Sequence, residues 1–267
     1  MKHHLSLAVI VTLIATPLVA QEISAGALAS FGDRDVIVLG ELHDNGFQHA
    51  NQAAAVRALA PKAVVFEMLT PEKAGLITPD LLADADALGL ALDWANSGWP
   101  DFSMYYPIFA ASGGAAIYGG QVPRAMAREV VQSGAVAERF GPDAARFGLV
   151  GDLPGAQQAE REALQMAAHC DALPEDMLPG MVMIQRLRDA TLARTVVQAL
   201  EDTGGPVVVI TGNGHARTDW GMPALLPEGL NVVSVAQLEA APEGPQPHDA
   251  WIVTPPVARE DPCAAFR

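Results

Sequence analysis

An α/β fold with a mainly parallel β-sheet flanked by helices is what this sequence predicts, on three observations. The runs Val36-Ile37-Val38-Leu39 and Val207-Val208-Val209-Ile210 show no polar alternation, the pattern of strands buried on both faces. Shorter runs of the same kind recur at 63–66, 115–118, 231–235 and 251–253, with helical stretches between them. The first two runs end in small, acidic and histidine residues, Gly40-Glu41-Leu42-His43-Asp44 and Thr211-Gly212-Asn213-Gly214-His215. Open α/β sheets take their ligands at that carboxyl edge.

The elements follow in order. Lys2 and the apolar run from Leu5 to Val19, with small Ala20 before polar Gln21 and Glu22, read as a secretory signal peptide over residues 1–20. The run is too short for a membrane span. Cleavage is expected near Ala20, giving a periplasmic or secreted protein. No lipobox cysteine follows the run. Residues 21–267 are expected to form a single α/β domain with a helical insertion over about 71–180, near the upper size for one core. After the first strand, Asn45 or Asp44 can cap a helix from about Phe47 to Leu59, and Pro61 closes that unit. The strand at 63–66 runs into Glu67-Met68. Residues 71–99 read as helices with turn breaks, and 101–111 as a helix interrupted by Pro107. Gly119-Gly120 stops the strand at 115–118, and Pro123 opens a helix. One clear helix lies around 160–169. The longest helical signal spans 181–200, with Met183, Leu187, Ala190, Val197 and Leu200 near one face.

Half of the 267 residues are hydrophobic and 18% charged, which excludes general disorder. A net charge of -15 repels phosphate backbones and excludes nucleic acid as a partner. Cys170 and Cys263 are the two cysteines, and an oxidising compartment would pair them, tying the tail to the central helices.

Glu41, His43, Glu67 and His215 sit at three strand ends. Two histidines with one or two carboxylates are a donor set for Zn²⁺ or another divalent ion, although no compact ligand motif is present. Without a metal the same set suits general acid–base work. Taken singly, each would be a cap, a surface carboxylate or a hydrogen-bonded core histidine; their shared sheet edge points to a site. His49, inside the first helix, belongs to the rim, the core or solvent. His169 and His248 are expected at the surface. Gln185 and Asp189 stand one turn apart with Arg186 and Arg188 beside them, and either close the pocket or form ordinary helix surface. Arg217 and Asp219 can pair with each other or orient their loop. Gly212-Asn213-Gly214 lacks the Lys-Ser/Thr pair of a nucleotide loop, and no Gly-x-Ser-x-Gly elbow occurs, so ATP, NAD and serine esterase chemistry are disfavoured. The aromatic group Trp94, Trp99, Phe102, Tyr105 and Tyr106 suits core packing or a porphyrin wall.

Gly40-Glu41-Leu42-His43-Asp44-Asn45 with His49 and Gln52, then Glu67-Met68, the 94–106 stretch, Gln185 with Asp189-Ala190, and Gly212-Asn213-Gly214-His215 with Gly221-Met222-Pro223 resemble, in that order, the ChaN-like haem-binding proteins. These belong to a superfamily with erythromycin-esterase-like and Tiki-like hydrolases. The resemblance covers about Val36 to Pro256. It implies an exported or membrane-associated protein of haem or iron uptake, with an outer-membrane haem-uptake system as partner. It also implies haem held between two subunits of a homodimer through tyrosine ligation. On it, Tyr105 and Tyr106 are candidate ligands, and Trp99, His49, Gln185 and Asp189 candidate haem-binding residues. A divalent metal ion would take His43, His215, Glu41 and Glu67, which also match hydrolytic positions. Family members are often lipoproteins, from which this chain departs. Two functions therefore stand: an exported haem binder, or a metal-dependent or His/Glu-based hydrolase of unknown substrate.

Overall fold

The computed structural model describes residues 20–261 and 263–264. The segment 1–19, carrying nearly all of the expected signal peptide, lies outside the described residues. Seven strands, β1 (Gln21–Glu22), β2 (Val36–Glu41), β3 (Ala63–Phe66), β4 (Ala116–Gly119), β5 (Val207–Gly212), β6 (Val232–Leu238) and β7 (Ala250–Val253), form one sheet in the order β1-β7-β6-β2-β5-β3-β4. Every pairing is parallel. Nine α-helices are present among the described residues. They are α1 (Gly46–Leu59), α2 (Pro71–Ala74), α3 (Pro79–Leu82), α4 (Ala85–Ala91), α5 (Phe102–Ala111), α6 (Arg124–Ser133), α7 (Val136–Phe140), α8 (Gly155–Ala168) and α9 (Leu178–Thr203). The expected fold class is the observed one.

Alternation along the strands explains the unbroken apolar runs. Ile37, Leu39, Val64, Phe66, Val208 and Ile210 pack with Ala53 and Val56 of α1 and Tyr105, Ile108 and Phe109 of α5. Val36, Val38, Ala63, Val65, Val207 and Val209 pack on the opposite face with α6 and α9. Each fully buried Val, Ile or Phe contributes about 1.5–3 kcal/mol, so a sheet covered on both faces supplies much of the driving force.

Three local results differ from expectation. Helix α5 continues through Pro107, because burial of Tyr105, Ile108 and Phe109 around it outweighs the ~3 kcal/mol cost of an interior proline. The strand expected at 115–118 is found one residue later, as β4 at Ala116–Gly119, beside β3. Strands β2 and β5 run two residues beyond their apolar runs, so Glu41 pairs with Gly212 inside the ladder rather than in a turn. The Cys170–Cys263 disulfide is formed, with an S–S distance of 2.07 Å. No helix among the described residues is long and apolar enough to cross a membrane.

Strand β2 is flanked by β5 on one side and β6 on the other. The chain leaves β2 toward the β5–β3 side, and from β5 it crosses to β6. That reversal places a crevice at the carboxyl ends of β2 and β5.

Candidate functional site

In β2 the side-chain alternation that buries Ile37 and Leu39 against α1 and α5 carries Glu41 to the same face, where it is 1% exposed. Its Oε1 accepts hydrogen bonds from Tyr105 Oη at 2.7 Å and from His43 Nδ1 at 2.8 Å. His49 Nε2 stands 3.5 Å from Oε2. Burial alone would raise the Glu41 pKa, but His43 and His49 beside it outweigh burial and hold the carboxyl well below its usual range. Burial, and then the Glu41 charge, push the Tyr105 phenol far up, so it serves as a neutral donor. For His43, burial acts downward, and the bond to Glu41 together with the charges of Glu67 and Glu41 more than reverses it.

Glu41 thereby fixes the His43 ring through Nδ1 and leaves Nε2 to the cleft. The ring meets Trp99 edge-on with centroids 4.9 Å apart. Gly212 supplies the clearance: a Cβ there would lie 2.9 Å from His43 Nε2.

On the other side of Gly212, Glu67 Oε2 accepts bonds from Thr211 Oγ1 at 2.7 Å and Gly212 N at 2.8 Å. Its Oε1 is 3.6 Å from His215 Nε2, and His215 Nδ1 is 2.6 Å from Asp189 Oδ1. Burial disfavours charge on His215, yet Glu67 and Asp189 outweigh it and lift the imidazole to about 9. For Glu67, burial acts upward, and the positive His215 and His43 carry its carboxyl below normal. Burial raises Asp189 by more than His215 lowers it. At neutral pH His215 is thus an imidazolium with the carboxyl groups of Glu67 and Asp189 at its two nitrogens.

The four strand-end residues do converge. Glu41, His43, Glu67 and His215 all line one cleft of about 910 Å³, together with Trp99, Val122, Arg124, Gln185 and Arg188. Of the residues for which the sequence left the placement open, Trp99 and Gln185 line the cleft. The other candidates do not reach the wall. Tyr105 is fully buried, with its phenol spent on Glu41. Tyr106 donates to Leu82 O at 3.2 Å, and the third tyrosine of the chain, Tyr118, donates to Asp202 Oδ2 at 3.0 Å. His49 is buried behind Glu41 and Asp189 behind His215. His248, expected at the surface, is 8% exposed, its Nε2 3.1 Å from Asn213 O. Among the described residues no group of three or more His, Cys, Asp or Glu side chains is placed to hold a metal ion. The physical reason is that Glu41 and Glu67 already accept internal donors, and both nitrogens of His215 face carboxylates.

Asn213, in the glycine-flanked turn, serves the sheet. Its side chain accepts from Gln237 N and donates to Gln237 O, bridging β5 to β6 past Gly40. A Cβ on Gly40 would run into the Asn213 amide. Arg217 and Asp219 form a bidentate pair at 2.9 and 2.6 Å. Sequence reasoning missed Arg124. Its only signal was a cation one residue after the helix-opening Pro123, and its guanidinium reaches the cleft by lying against Gly98, held at φ +82°.

Comparison with known proteins agrees with this frame. The family model described as haem-binding uptake, Tiki superfamily, ChaN, matches residues 27–226. Among solved structures, one of cofacial heme binding to ChaN of Campylobacter jejuni is 18% identical with a TM-score of 0.62, covering 79% of this chain and 84% of that one. At that identity the likeness is one of fold. The type III effector HopBA1 is 13% identical with a TM-score of 0.47, covering 90% of this chain and 99% of that one. No curated protein matches the sequence. With three quarters of its length matched, this chain belongs to the ChaN family of haem-binding uptake proteins in the Tiki superfamily.

Proposed function

We propose that the cleft at the ends of β2 and β5 binds haem, with His43 facing the iron and Arg124 and Arg188 facing the propionates. One observation carries this reading. Of the two imidazoles in the cleft, His215 has both nitrogens engaged by carboxylates, whereas His43 keeps Nε2 uncommitted while Glu41 orients the ring. A histidine tied through Nδ1 to a carboxylate is a sound axial donor. None of the three tyrosines offers a phenol to the cleft, so the tyrosine ligation implied by resemblance gives way here to histidine.

The rest of the donor set fits the group. Trp99, whose Nε1 is buried without a partner, and Val122 provide apolar wall, and two arginines supply positive charge. About 910 Å³ is at the upper end of the 300–1,000 Å³ usual for cofactor sites. Bound haem would supply an iron able to accept a protein nitrogen donor. Glu41 would hold the ring, Gly212 would keep clearance beside Nε2, and the arginines would orient the carboxylates.

Hydrolysis is supported less well. His215 keeps its proton up to about pH 9 and so offers no base. No group of three or more His, Cys, Asp or Glu among the described residues is placed to hold a metal, and the remaining imidazole, His43, is the one assigned here to the iron. The reading extends to export through the N-terminal signal and to a homodimer formed on haem loading as part of an outer-membrane uptake system. Hemin titrated into the purified full chain tests it: a saturable Soret shift is expected, and a spectrum indistinguishable from free hemin would end it. Sedimentation of apo and loaded protein tests the dimer, which predicts a doubling of mass on loading.

A further inference from the structure

Asp189 has two faces. One holds His215 in the haem cleft. The other lines a second, separate cavity of about 230 Å³, together with Arg161 of α8, Arg186 of α9, Asp219 and Trp220. Arg161 is 8% exposed. Its terminal amine donates to Trp220 O at 3.4 Å and its guanidinium lies 5.1 Å from the Trp220 ring centroid, but its Nε is buried with no partner. Arg186 donates to Gly148 O at 2.8 Å and Gly151 O at 3.2 Å. Each carboxylate lining this cavity is bonded to a cation: Asp189 to His215, and Asp219 to Arg217.

The partnering is thus lopsided. Asp189 shares His215 with Glu67 and Asp219 is bonded to Arg217, whereas the two arginines are bonded only to neutral carbonyls. The charges of Asp189 and Asp219 act on Arg161, and that of Asp152 on Arg186, without a bond. A buried guanidinium with an unmet N–H and no bonded anion is costly, and a bound ion is one way to meet it. The chain's net charge of -15 does not account for two arginines meeting at one small cavity.

We infer that this second cavity is a binding site for a small oxyanion, a carboxylate or phosphate group, gripped by Arg161 and Arg186. Arginine's fixed fork of donors matches both anion types. At about 30 Å³ per water molecule the cavity holds an oxyanion and a few waters, and it excludes a porphyrin. Asp189 and Asp219 line the same cavity, which favours an anion that also carries a hydroxyl, such as hydrogen phosphate. The site stands independently of the haem reading. Because Asp189 is common to both compartments, an anion here is felt at His215.

The test uses the full chain at pH 7 in low-chloride buffer. Inorganic phosphate and, separately, acetate are titrated by calorimetry while the Arg161 Nε–H resonance is followed by NMR. One saturable site is expected for at least one probe, with a downfield shift of the Arg161 Nε–H. The stronger of the two probes identifies the anion class. Arg161→Gln and Arg186→Gln are each expected to weaken binding at least tenfold, and Arg128→Gln, exposed on α6, to leave it unchanged. If Arg161→Gln fails to fold, the half-buried Arg186→Gln carries the test. Absence of saturable binding for both probes, or binding unaffected by Arg186→Gln, would overturn the assignment.

Discussion

Glu41 is the residue on which the cleft turns: one buried carboxylate accepts from Tyr105 and His43 and has His49 at 3.5 Å. Removing the phenol oxygen alone, in Tyr105→Phe, deletes a bond to a buried charged acceptor, and a loss of about 1.5–3 kcal/mol is expected in urea unfolding. Haem binding should survive it, because the phenol never reaches the cleft. Gly212→Ala should do the converse. Its added Cβ would stand 2.9 Å from His43 Nε2, so hemin affinity should fall at least tenfold with the unfolding midpoint little changed. His215 gives a pH signature. Its folded pKa of about 9 lies above the unfolded value near 6.5, so its contribution to stability is full below pH 6.5 and is lost as pH rises through 9. That contribution is at most about 3 kcal/mol, reduced by the ionisation of buried Asp189. Urea midpoints measured from pH 6 to 10 should therefore fall across that window in the native chain and stay flatter in His215→Gln.

At the scale of elements, the sheet and its edge residues were legible because a doubly covered strand must be apolar at every position, and few other structures show that pattern. The first helix was legible for a similar reason. Asn45 accepts from Phe47 N and Gln48 N as its N-cap, and its amide also donates to Glu239 and Pro255 O. Asn45→Ala should cost about 1–2 kcal/mol by thermal unfolding. What the sequence hid were the side-chain commitments. The aromatic stretch that suits a porphyrin wall is mostly core: Trp94 and Tyr105 pack with ring centroids 5.1 Å apart, and only Trp99 reaches the cleft. Nothing local marks which of two neighbouring tyrosines is buried. Gly40 was readable as a close approach, but its neighbour, the Asn213 amide, comes from 173 positions away and is fixed by β5–β6 packing. The two-residue β1 has no apolar pattern at all and exists because β7 offers it an edge.

At the scale of the whole molecule, the segment after β7 is tied back to the cleft rim and to α8. From β7 the chain passes Arg259, which pairs with Asp44 and Glu239 beside the cleft, and reaches the Cys263–Cys170 bridge next to α8. That bridge closes a 93-residue separation, for which chain entropy predicts up to about 4–5 kcal/mol. Cys170→Ser, or reduction, should lower the unfolding midpoint accordingly. The cleft thus has a rigid floor of strand ends and a rim tied down from the carboxyl terminus, and within it one imidazole keeps a free nitrogen. The most direct measurement is a hemin titration of the native chain, His43→Ala, and the double variant Tyr105→Phe/Tyr106→Phe, read by the Soret band and by electron paramagnetic resonance of the ferric iron. The account predicts that the native chain and the tyrosine variant give the same nitrogen-ligated spectrum and that His43→Ala loses it. A tyrosinate spectrum that vanishes in the double variant, with His43→Ala unchanged, would contradict it.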